Sequence, residues 1–112
     1  MAATETLKEY LDALAKKGYS VKFNTGVMGM AGVVHDVEIL AESATEGKKK
    51  TVVVLTSEKS NGKKRTPILS IISAFAISYD IGAERCALVL NEDIDDGARK
   101  LAGQYGILLL SS

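Results

Sequence analysis

Four consecutive apolar residues, Val52–Val53–Val54–Leu55, three of them β-branched, set the tightest limit on what this chain can fold into. A strand with one wet face alternates apolar and polar residues, so an unbroken run belongs to a central strand covered on both faces. Helices on two sides of a sheet provide that cover, which makes α/β the expected class. The rest of the sequence supplies the helices. Residues 6–17 place Leu7, Tyr10, Leu11, Leu14 and Ala15 on one helical stripe, with Thr6 and Glu9 as a capping box and Gly18 as the stop. Thr66–Pro67 starts a second helix predicted to reach Asp80 and end at Gly82. Residues 94–105 form a third, with Ile94, Ala98, Leu101, Ala102 and Tyr105 on one stripe, Asp95 and Asp96 at its positive end, and Gly106 closing it.

The remaining segments read as strands. Residues 19–23 alternate, with Tyr19, Val21 and Phe23 on one side, and a glycine-rich connection over 25–32 follows. Further strands are expected at 33–41, 48–58, 85–90 and 107–110, with Asn61–Gly62 as a turn. The order α-β-β-β-α-β-α-β predicts a mixed β-sheet flanked by helices, in a single domain over residues 1–112.

The middle helix is apolar nearly all round, through Ile68, Leu69, Ile71, Ile72, Phe75, Ala76, Ile77 and Tyr79. It needs a second cover besides the sheet, either a helix or another subunit. Ser70, Ser73, Ala74 and Ile77 form a small-residue strip suited to close approach, so a symmetric homodimer through this helix is an expectation.

Basic and acidic residues balance at 14 each, yet they are unevenly spread. Between Lys48 and Arg65 stand seven basic residues and one acid, Glu58; between Glu84 and Asp96 stand five acids and one base. The basic segment either meets phosphates or forms solvated flanks that guard an apolar strand against aggregation. No apolar run reaches the ~18 residues of a membrane span, since Ser70, Ser73, Ser78 and Asp80 interrupt the longest one. The first six residues lack the basic-then-apolar order of a signal peptide, and the lone Cys86 has no internal disulfide partner, so the cytoplasm is expected.

The segments "GYSVKFN", "GVVHDVEILAES", "KKTVVVLTSEK" and "GAERCALVLNEDIDDGARKLAGQYGILLL", in this order, cover nearly the whole chain. They resemble Mrr-type restriction endonucleases and archaeal Holliday-junction-resolvase-like proteins, of the PD-(D/E)xK restriction-endonuclase-like superfamily. The resemblance implies an acid at the end of the second strand, and Glu38 in Glu38–Ile39–Leu40–Ala41 stands there. Asp36, two residues away on the same strand, shares its face. The resemblance also implies an acid or glutamine, any residue, then lysine on the next strand, and those positions fall on Val54 and Thr56. The nuclease motif is therefore degenerate. Cutting a phosphodiester takes carboxylates that hold Mg²⁺ and a group that orients water. Here Glu38 and Asp36 are the candidate metal ligands, and Lys59, adjacent to Glu58, is the candidate for the missing lysine.

His35 is the single histidine, which excludes a Ser-His-Asp site and any histidine-rich metal cluster; it contacts phosphate or holds a loop. Gly26–Val27–Met28–Gly29 is no dinucleotide fingerprint, because no helix follows. Cys86, among apolar strand residues, is expected in the core. Three functions follow. One is a nucleic-acid-associated domain with a degenerate site, binding DNA, branched or of any sequence, through Lys59, Lys63, Lys64, Arg65 and His35. Another is an active Mg²⁺-dependent endonuclease, and the last is a dimeric interaction module with no nucleic-acid role.

Overall fold

The computed structural model describes residues 5–45, 48–56, 59–60, 63–64, 66–90 and 94–111, and only the backbone at 44, 45, 48, 49, 59, 60, 63 and 64. In chain order the elements are α1 (Leu7–Lys16), β1 (Ser20–Met28), β2 (Val34–Thr45), β3 (Lys48–Thr56), β4 (Lys59–Ser60), β5 (Lys63–Lys64), α2 (Pro67–Ile81), β6 (Arg85–Val89), α3 (Asp96–Tyr105) and β7 (Ile107–Leu110). The protein is α/β, with a five-stranded mixed sheet in the order β1-β2-β3-β6-β7. Strands β1, β2 and β3 run antiparallel to their neighbours, whereas β3, β6 and β7 are parallel. The order expected from sequence holds, with a small β4-β5 hairpin added before α2.

The apolar run in β3 is explained by its position at the centre of the sheet. Val53 and Leu55 pack with Ile71 and Ala74 of α2 and with Ala98 and Ala102 of α3. Val52 and Val54 pack on the opposite face, against Tyr10 and Leu11 of α1. Strand β6 divides the same way, Cys86 and Leu88 to one face and Ala87 and Val89 to the other. Local signals fix the helix ends as expected. Thr6 and Glu9 form the capping box, the Thr66 and Asp95 side chains accept from the third residue beyond them, and Gly82 and Gly106 take left-handed conformations.

Four expectations are corrected. Residues 25–28 continue β1 instead of forming a connection, because pairing with residues 34–37 satisfies their backbone; the turn shrinks to 29–33. Phe23 is 63% exposed although Val21, on the same alternation, is half-buried. The alternation itself breaks one residue on, beyond the Phe23↔Ile39 pair. Asn24 has φ +51°, and pairing skips it between Phe23↔Ile39 and Thr25↔Val37. Opposite, Val37 packs towards α2 and α3 while Ile39 packs towards α1, so two residues of equal parity face opposite ways and β2 switches faces at Glu38. In α1, Ala15 is exposed while Ala13, outside the expected stripe, is half-buried. Finally, Ser70 and Ala74 are buried within the chain, and Ile77 packs on the same core. The small-residue strip of α2 thus faces its own sheet and is not available to a partner.

Candidate functional site

The switch in β2 builds a site. Glu38 Oε1 accepts a hydrogen bond of 2.9 Å from Thr56 Oγ1, at the carboxyl end of β3. Glu38 Oε2 is buried and has no partner among the described residues. Asn24, Asp36, Val37 and Glu38 line a cleft of about 320 Å³ beside it. Asp36 and Glu38 therefore share one cleft, as the strand spacing implied, with Asp36 exposed and Glu38 partly buried. The cleft lies at the end of the sheet where the parallel strands β3 and β6 finish, the usual position of ligand sites in open α/β sheets.

Val54 and Thr56 take different places. Val54 is fully buried among Ile39, Ala87, Val89 and Leu110 beneath α1, so that position faces an apolar layer. Thr56 reaches Glu38, but as a hydroxyl donor where the resemblance implies a lysine. A Mg²⁺ ion takes about six oxygen ligands in near-octahedral geometry. Among the described residues no three of His, Cys, Asp and Glu come together to hold a metal. The described residues do not fit a divalent metal centre, although one oxygen of Glu38 is free to accept a donor.

The basic segment is a hairpin immediately beyond Thr56. Its strands pair Lys59 with Lys64 and Ser60 with Lys63. The hairpin thus leaves the sheet at the same end as the Glu38 cleft. Arg65, Glu58 and the Asn61–Gly62 turn lie outside the described residues.

His35 is not among the residues lining the cleft. Its Nε2 lies 2.7 Å from Asp80 Oδ2 at the end of α2. Asp80 Oδ1 accepts from the Ala31 amide at 2.9 Å, and its carbonyl accepts from the Met30 amide at 2.7 Å. The side-chain hydrogen bond from His35, and then the Ala31 amide, hold the Asp80 carboxyl below its ordinary value. Of the two roles open to His35, the geometry gives it the loop-holding one. Gly29 permits this clasp, since a Cβ there would sit 1.9 Å from Asp80 Oδ2.

Sequence reasoning missed a second cleft, of about 240 Å³, at the opposite end of β3. Tyr10, Lys17, Tyr19, Ser43, Lys50, Glu84 and Arg85 contribute to it from α1, three strands and two connections. Lys17, Lys50 and Arg85 make no ion pair among the described residues. Burial raises the Tyr10 hydroxyl above its ordinary value, and Arg85 opposes that shift. No local motif could have revealed this cleft, because only the folding of the sheet gathers its parts.

Fold and site together define an α/β domain with a mixed five-stranded sheet and an acid-bearing cleft at the carboxyl end of its parallel strands. No protein family and no curated protein matches the sequence. Among solved structures the chain is similar to the crystal structure of a protein of unknown function, AF1548, with a TM-score of 0.64 and 22% identity. The match covers 91% of this chain and 54% of that one, so this chain spans about half the length of its structural neighbour. At that identity the likeness shows a shared fold.

Proposed function

We propose that this chain is a nucleic-acid-associated domain of restriction-endonuclease-like ancestry whose cutting site is degenerate. The hydrogen bond from Thr56 to Glu38 carries the reading: the position implied for a lysine holds a short hydroxyl that occupies one oxygen of the acid. The buried Val54, where a second acid is implied, supports it. Glu38 and Asp36 are remnants of the site, and Lys59, Lys63, Lys64 and Arg65 are the phosphate contacts. Lys59, Lys63 and Lys64 belong to a hairpin at the same end of the sheet, as a surface tracking a DNA backbone requires. Binding of this kind is independent of sequence and weakened by salt. No helix among the described residues is long and apolar enough to cross a membrane, and a lone cysteine fits the reducing cytoplasm.

The test uses the intact chain with plasmid, branched and single-stranded DNA in Mg²⁺ or Mn²⁺, alongside Glu38→Ala. We expect binding without cleavage, an affinity that falls with salt, and a salt dependence that shrinks by about one unit of slope for each of Lys59, Lys63 and Lys64 changed to Ala. Cleavage lost on Glu38→Ala would overturn the degenerate site in favour of the active endonuclease. Absence of affinity at low salt would overturn the nucleic-acid role.

A further inference from the structure

The outward face of α2 presents an unbroken apolar stripe. At 100° per residue, Phe75, Ile68, Tyr79, Ile72, Ala76 and Leu69 fall on one arc, and all six are exposed. The opposite arc, Ser70, Ile71, Ala74 and Ile77, packs on the sheet. Two side walls flank the stripe. On one, Phe75 stacks on Tyr105 of α3 at 4.3 Å between ring centroids. On the other, the clasp at Asp80 holds the 29–33 turn, with Met30 73% exposed, against the last turn of the helix, where Tyr79 is 69% exposed.

We propose that this face is the interface of a symmetric homodimer in which α2 packs across α2 of a second copy. The area supports a second copy. At on the order of 200 Å² for a fully exposed large residue, Ile68, Leu69, Ile72, Phe75, Tyr79 and Met30 expose roughly 650 Å² per chain. That exceeds the ~300–600 Å² of a typical monomer's largest patch and approaches the ~800 Å² per partner of a standard interface. Charge selects the kind of partner. From Pro67 to Ile81 the only ionisable acid or base is Asp80, which His35 engages, so two copies meet without like-charge repulsion. A lipid surface is disfavoured, since an interfacial helix carries basic residues along its rim and α2 has none. Exposed aromatic and methionine side chains suit the centre of a protein interface. Ala76, near the middle of the stripe, lets the two helices come close.

Sedimentation of the intact chain from 1 to 200 µM is the test, with Tyr79→Lys and Met30→Lys, two substitutions at exposed positions that leave the core intact. Phe23→Lys, at an exposed apolar position on edge strand β1, is the control, and circular dichroism verifies folding. We expect a species of twice the chain mass, weakened at least tenfold by Tyr79→Lys and Met30→Lys and unchanged by Phe23→Lys. A wild-type monomer throughout the range would overturn the proposal. So would a dimer that withstands both α2-face substitutions, or one that only Phe23→Lys disrupts, which would place the contact on β1.

Discussion

Replacing Glu38 and Thr56 together tests whether the second oxygen of Glu38 lacks a partner in the folded chain. Thr56→Val alone removes the single hydrogen bond that Glu38 receives among the described residues and leaves both carboxylate oxygens without donors. A hydrogen bond to a charged group contributes about 1.5–3 kcal/mol, so a loss of about 2 kcal/mol is expected. Adding Glu38→Leu to that variant removes the stranded carboxylate. Each buried unsatisfied polar group costs about 1–3 kcal/mol, more when charged, so the double variant should regain about 2 kcal/mol and match or exceed the wild type. The single variant should then melt about 8 °C below the wild type, at about 4 °C per kcal/mol for a chain of this size, and the double variant at or above it. Urea denaturation followed by circular dichroism measures the difference, with equal m-values as the check that the unfolded state is unchanged. Rescue is the decisive step, since any other contact of Thr56 is absent from both variants. A double variant less stable than Thr56→Val would mean that Glu38 Oε2 is already satisfied and that its carboxylate is a structural element, not a site waiting for a donor.

Two further outcomes follow from the geometry. Burial pushes the Cys86 thiol up to about 12, so thiol reagents at pH 8 should label it only after unfolding. Because its folded value lies above its unfolded one, stability is full below pH ~9 and falls between about 9 and about 12 by up to ~1.4 kcal/mol per pH unit; in Cys86→Ala the alkaline decline, read by urea denaturation, should be shallower. Gly29→Ala would drive a Cβ into Asp80 Oδ2 and open the clasp. Hydrogen exchange at the Met30 and Ala31 amides should accelerate at least tenfold while the β3 amides keep their protection, and unchanged exchange at Met30 would refute the clasp.

Much of the fold was legible because local chemistry and tertiary position agree. The Val52–Leu55 run, the capping box at Thr6 and the glycines at 82 and 106 each specify their element without help from distant residues. What could not be read depends on contacts between segments. Asn24 carries no signal for a positive φ until Glu38 stands opposite it. The 25–28 segment looks like a loop because Gly26 interrupts it and Gly29 and Gly32 follow, yet the partner strand supplies its hydrogen bonds. For α2, periodicity revealed the excess of apolar surface but not which arc remains uncovered. Small residues suggested one arc, and packing on the sheet took that arc first. At the site, Glu38 came from the family resemblance and Asp36 from strand alternation, whereas the Thr56 contact depends on the register of β2 on β3.

The two proposals place their surfaces so that each leaves the other free. Val54, Ile39, Ala87 and Val89 line the face beneath α1, and Glu38 opens beside that layer at the ends of β3 and β6. The α2 stripe lies on the other side of the sheet, beyond Ile71 and Ala74. Pairing two copies through α2 buries neither the Glu38 cleft nor the strand end from which the β4-β5 hairpin leaves. A dimer would carry two basic hairpins, and two tethered contacts raise affinity for one DNA molecule beyond what a single hairpin provides when both reach it together. DNA affinity should then fall in Tyr79→Lys although that residue is remote from the hairpin. Equal affinity in monomeric and dimeric forms would mean that each hairpin binds alone, leaving dimerisation without a part in nucleic-acid binding.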